Sequence, residues 1–147
     1  MVGRNKRYAV ADTAQQVVGG FLLAGPFVVT EEVWVLASEM QWYHVLLTIG
    51  LVAAIGYGAL YKADDDRDPD READVIGVPI RFLSLMVVAF GSVLILALAF
   101  GAPGTFAQAV DGVHPAESAE VTALTLKATS VGAVFAVVGA ATADSVF

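Results

Sequence analysis

The sequence predicts an all-α membrane protein with four transmembrane helices, at about residues 14–37, 45–61, 82–100 and 121–143, and both termini in the cytoplasm. Three observations lead there. Hydrophobic residues make up 57% of the 147-residue chain, above the roughly 45–50% of soluble domains. The apolar runs are continuous and close to the roughly 20 residues a helix needs to cross a 30 Å hydrocarbon core. They also lack the period-two alternation of barrel strands. Finally, Arg4, Lys6 and Arg7 precede the first run and Lys62, Arg67, Arg71 and Arg81 lie between the second and third, whereas residues 39–44 and 101–120 contain no Lys or Arg. By the positive-inside rule that asymmetry puts both termini inside.

The first run begins after Asp12 and reaches Ser38 only if it passes through Glu31 and Glu32. Charge at membrane depth costs roughly 2.5–3.5 kcal/mol near a helix centre, so an ionisable residue there is a functional candidate. Pro26 removes a backbone hydrogen bond and predicts a kink, freeing the carbonyl near Leu22. On an unbroken helix Thr30, Glu31 and Glu32 would line a hydrated cation or proton site. The alternative is a helix that ends near Thr30, with both glutamates in water. A signal peptide is the competing reading of GRNKR and the apolar stretch after it, but no small-x-small cleavage site leads into a soluble domain.

The second run carries Gly50, Ala54 and Gly58 at four-residue spacing, and the fourth carries Gly132, Ala136 and Ala140. Such rows let helix backbones approach closely and predict packing, within the chain or in a homo-oligomer. The third run is bulkier. Lys127 is the only basic residue inside an apolar run. Its depth matches that of Glu31 and Glu32, which predicts an ion pair across the bundle, unless the lysine snorkels to the outer surface. Trp34, Trp42 and Tyr43 are expected in an outer aromatic belt, and Tyr8, Tyr57 and Tyr61 in an inner one. Asp12, Gln15, Gln16 and Asp144 are the inner polar groups, with Arg7 and Arg81 as available partners and Asp144 expected at the interface. Residues 18–34 overlay 131–147 without gaps, a faint inverted-repeat echo that pairs Glu31 with Asp144.

These elements form one domain over residues 1–147, with an acidic cytoplasmic loop at 62–81. Within it Asp64, Asp66, Asp68 and Asp70 alternate, but both EF-hand registers fail, one placing Pro69 and the other Arg71 where glycine is required. A solvated acidic loop is the better reading. Fifteen acidic and eight basic residues give a net charge of −7, the wrong sign for nucleic-acid binding. With only three lysines, that acidity would suit a high-salt cytoplasm. There is no cysteine, and neither His44 nor His114 lies in metal-ligand spacing. No nucleophile–base pair or phosphate-cradling loop predicts an enzyme, and no cofactor is implied.

GGFLLAGPFVVTEEVW, YGALYKADDDRDPDRE and LKATSVGAVFAVVGAATADSVF resemble an uncharacterised family of small prokaryotic integral membrane proteins, a domain of unknown function frequent in haloarchaea. Its bacterial members look longer, with additional spans. The family motif Pro-x-x-x-Thr-x-Glu-x-Trp falls on Pro26, Thr30, Glu32 and Trp34, which favours Glu32 over Glu31. The resemblance implies a membrane location and no activity. From the residues, the leading expectation is a subunit of an oligomeric cation or proton channel or transporter. Glu32 is its ligand, Glu31 and Thr30 assist, and Lys127 is the counter-charge. The alternative is a non-transporting subunit that scaffolds a partner protein in the bilayer.

Overall fold

The computed structural model describes residues 10–62, 68–71, 74–110, 113–114 and 116–146. Arg4, Lys6, Arg7, Tyr8, Asp64, Asp66, Arg67 and Phe147 lie outside them. The main helices are α1 (Val10–Val28), α2 (Glu31–Glu39), α3 (Trp42–Tyr57), α4 (Ile80–Ala99), α5 (Ala102–Ala107) and α6 (Ser118–Val146). A π-helical turn, Gly58–Lys62, extends α3. Three helices are long and apolar enough to cross a membrane, at Trp42–Lys62, Ile80–Ala99 and Ser118–Ser145; the bent pair α1 and α2, taken together, makes a fourth. The last three predicted spans are therefore in place, with ends that move by a few residues.

The first predicted span is corrected. The helix expected over 14–37 breaks after Val28 and resumes at Glu31 with a bend of 81°. Pro26 lies inside α1, and the bend falls beyond it, at Val29 and Thr30. Local chemistry favours that point. Val28, Val29 and Thr30 are consecutive β-branched residues, which are restricted at χ1 in a helix, and Thr30 is extended (φ −104°, ψ 120°) as the residue preceding α2. Glu31 and Glu32 then occupy the first turn of a new helix, where its dipole favours negative charge.

α6 is the central helix. Half of its apolar window is buried (50%), against 33% for α4 and 22% for α3. Small residues make this possible: Ala128, Gly132, Ala133, Ala136, Gly139 and Ala140 are all buried along it. The tightest crossing is with α1, where a Cβ on Gly19 would collide with the Gly139 carbonyl oxygen, and one on Gly139 with that of Gly19. Only two glycines permit this backbone-on-backbone approach. α6 continues unbroken to Val146, past the point where its proposed repeat counterpart breaks.

The row expected on α3 faces the other way. A Cβ on Gly50 or Gly58 would meet nothing within 4 Å, and Ala54 is exposed. Within the chain α3 packs instead through Gly56, whose Cβ would press on Met86 and Leu85 of α4 and on Val137 of α6. The apolar core has two parts. One joins Val52, Leu60, Leu85 and Val137 at the end holding the start of α1 and the finish of α6, here the proximal end. The other joins Val28, Trp34, Ala97, Ala107 and Leu124 at the distal end, where α2 and α5 cross the bundle.

Small elements join the long helices. Gly101, in the left-handed region (φ 68°), ends α4 and turns the chain into the single turn and a half of α5. In the acidic loop, Asp74–Val75 (β1) and Val78–Pro79 (β2) pair as a minimal antiparallel hairpin.

Candidate functional site

The structure assembles a buried polar cluster at the proximal end. On α1, Asp12 and Gln16 are one helical turn apart and share a face with neighbouring Thr13; on α4, Arg81 and Ser84 do the same; α6 contributes Asp144. Arg81 Nη1 donates to both carboxylate oxygens of Asp144, at 2.8 and 3.0 Å, and Arg81 Nη2 lies 3.2 Å from Asp12 Oδ2. Gln16 Nε2 donates to Asp144 Oδ2 at 3.1 Å and to the Arg81 carbonyl at 3.3 Å. Its Oε1 accepts from Ser84 Oγ at 2.6 Å, and Ser84 Oγ lies 3.3 Å from Thr13 Oγ1. The side chains of Arg81 and Asp144 are 5% and 0% exposed, so Asp144, at the end of α6, is shielded inside the bundle by the partner that the sequence made available.

The electrostatics of this cluster run against its own helices. Arg81 is in the first turn of α4, at the positive end of that helix dipole, and Asp144 is in the last turn of α6, at the negative end. Each charge is unfavourable where it stands alone. Their pairing offsets both penalties, and the amide of Gln16 adds one hydrogen bond to Asp144 and one to the buried Arg81 carbonyl. Removing any one of the three helices would strand buried polar atoms on the other two.

The distal corner holds the residues singled out in the first run. Thr30 Oγ1 donates to the Pro26 carbonyl at 2.7 Å. Trp34 is 1% exposed, so it does not belong to a surface belt; its Nε1 donates to the Val28 carbonyl at 3.0 Å and its ring stacks on Phe106 of α5 at 5.5 Å. Pro26, Thr30 and Trp34 thus build the corner between α1 and α2, satisfying carbonyls that the break leaves open. Glu31 and Glu32 are both exposed. Among the described residues no ion pair joins either to Lys127, whose Nζ lies 5.0 Å over the Trp42 ring, within cation–π range. Lys127 meets an aromatic face because α3 begins beside α6, and because the bend that starts α2 leaves both glutamates exposed. Trp42 and Tyr43 are exposed, whereas Tyr61 is buried and so leaves the inner belt.

The sequence named every member of the proximal cluster except Thr13 and Ser84 as a polar group or available partner. What it lacked was the pairing, which spans more than sixty residues between Arg81 and Asp144. Hydroxyls such as Ser84 carry no signal of their own, because serine is common in membrane helices.

Among curated proteins and solved structures none matches the chain. The family model described as "Putative integral membrane protein (DUF2391)" matches residues 3–146, almost the whole length. The chain therefore belongs to this DUF2391 family of integral membrane proteins.

Proposed function

We propose that this integral membrane protein is a non-transporting accessory subunit: a rigid core of α1, α4 and α6 that presents α3 to another transmembrane helix, in a homo-oligomer or on a partner protein. The observation that carries the reading is the division of labour among the helices. α1, α4 and α6 are locked by the Asp12–Arg81–Asp144 cluster and the Gly19–Gly139 crossing. α3 is the least buried span, and its Gly50, Ala54 and Gly58 row points away from the core. Such a row is suited to close helix contact in a bilayer, where apolar side chains by themselves give little driving force. The basic-residue asymmetry supports a cytoplasmic proximal end as part of this reading. Solubilisation in mild detergent should recover the protein with a stoichiometric partner or as a defined oligomer. Gly50→Leu with Gly58→Leu should dissociate it while the helical content stays unchanged.

A second reading is passage of a cation or proton between protomers. It is favoured by Glu31 and Glu32 standing together, exposed, at the start of α2 on the distal rim. Glu32 would be the principal ligand, with Glu31 auxiliary. Proteoliposomes containing the protein should then show a cation or proton flux that Glu32→Gln abolishes. No flux above protein-free vesicles, together with a recovered partner, selects the accessory role.

A further inference from the structure

A groove of about 400 Å³ opens between α2, α3 and α6 at the distal end. Its polar members are Glu39, His44 and Thr48, and its apolar wall includes Leu51, Val134 and Phe135. The polar residues are confined to one end, where Leu36 and Met40 accompany them. Glu39 ends α2 and His44 lies in the first turn of α3, so both stand at the rim, whereas Leu51 lies about 10 Å further along α3, toward the middle of the bundle. A slot that is polar at the surface and apolar below has the profile of an amphiphile.

The rim groups narrow the headgroup. Thr48 Oγ1 donates to the His44 carbonyl at 2.7 Å, which uses its proton within the helix. His44 Nδ1 accepts from the Gln41 N–H at 2.9 Å, so the neutral ring carries its proton on Nε2 and offers a donor there. Glu39 is exposed, and among the described residues no hydrogen bond or ion pair engages its carboxylate. It also sits at the negative end of the α2 dipole, so two sources of negative potential meet where a cation would relieve them. One acceptor for a cation beside one donor for an anion matches a zwitterion.

We propose that this groove binds a zwitterionic, amine-headed phospholipid. One acyl chain lies along Leu51, Val134 and Phe135, the ammonium group is on Glu39 and the phosphate faces His44 Nε2. The groove is a separate surface from the helix-packing face of α3: at 100° per residue His44, Thr48 and Leu51 lie about a quarter turn from the Gly50, Ala54 and Gly58 row. An anionic lipid would set its phosphate against Glu39 on a protein of net charge −7.

The test uses the full-length protein reconstituted in vesicles containing equal amounts of phosphatidylethanolamine, phosphatidylcholine and phosphatidylglycerol. Native mass spectrometry reads the lipid retained after solubilisation. The expected result is phosphatidylethanolamine enriched about threefold to fivefold over phosphatidylglycerol, as a partly exposed ion pair would give. It should also exceed phosphatidylcholine, whose quaternary ammonium cannot donate a hydrogen bond. Glu39→Gln should abolish the enrichment, and Val134→Trp, which fills the slot, should remove retained lipid while thermal unfolding and helical content stay near those of the unmodified protein. Equal retention of the three lipids overturns the proposal, as does enrichment that survives both substitutions. If Val134→Trp changes the oligomeric state and no lipid is retained by the unmodified protein, the groove is an interface between copies and the proposal also fails.

Discussion

The two ends of the bundle treat their carboxylates in opposite ways. At the proximal end Asp144 is completely buried and is held by Arg81 and Gln16 from two other helices. At the distal end Glu31 and Glu32 are exposed in the first turn of α2, and among the described residues no other helix brings them a cation. In sequence the glutamates are the more conspicuous, because they interrupt an apolar run, while Asp144 looks like a helix end meeting water. The difference teaches that a carboxylate's neighbours along the chain do not decide its environment. A glutamate pair can end one helix and begin another, whereas a carboxylate at the wrong end of its helix dipole persists only where tertiary structure delivers a counter-charge.

The comparison breaks most sharply at Arg81. Arg81→Ala leaves Asp144 buried without its cation and should cost about 3–5 kcal/mol, read as a loss of unfolding stability in detergent micelles. If stability hardly changes, the proximal cluster does not hold the core together. Gly19→Ala tests the adjacent crossing, where the new methyl group meets the Gly139 carbonyl; α1 and α6 must separate, at about 1–3 kcal/mol by the same measurement. At the distal corner, Trp34→Phe keeps an aromatic ring against Phe106 but loses the bond to the Val28 carbonyl. It should cost about 1 kcal/mol and raise hydrogen exchange in α2 before it does so in α4. Smallest of all, Glu31→Gln and Glu32→Gln should each move stability by no more than about 0.5 kcal/mol, as exposed substitutions do. A larger loss at either glutamate would mean that it has a buried partner in the assembled protein.

Much of the architecture was legible before any coordinates. Span positions follow from apolar length, since a bilayer fixes how long a helix must be. The buried row on α6 was visible as spacing, because Gly132, Ala136 and Ala140 recur on one helical face. The similar row at Gly50, Ala54 and Gly58 shows where spacing stops informing. Periodicity says which residues share a face, but not what that face meets. Gly56, the glycine that α3 presses against Met86 and Leu85, belongs to no row at all. At the site level, Pro26, Thr30 and Trp34 were recognisable as a motif, yet their work of closing a corner depends on an 81° bend that propensity alone does not specify.

By itself, the sequence determined that this chain is a membrane protein of several helices, because apolar length and composition are local quantities set by the surrounding solvent. Only the tertiary structure decided that Asp144 is buried and Glu32 exposed, that Trp34 is a core residue, and that α3 shows its small residues to the outside. Each of those outcomes depends on which helix lies alongside, and the contacts responsible join residues as far apart as Gln16 and Asp144.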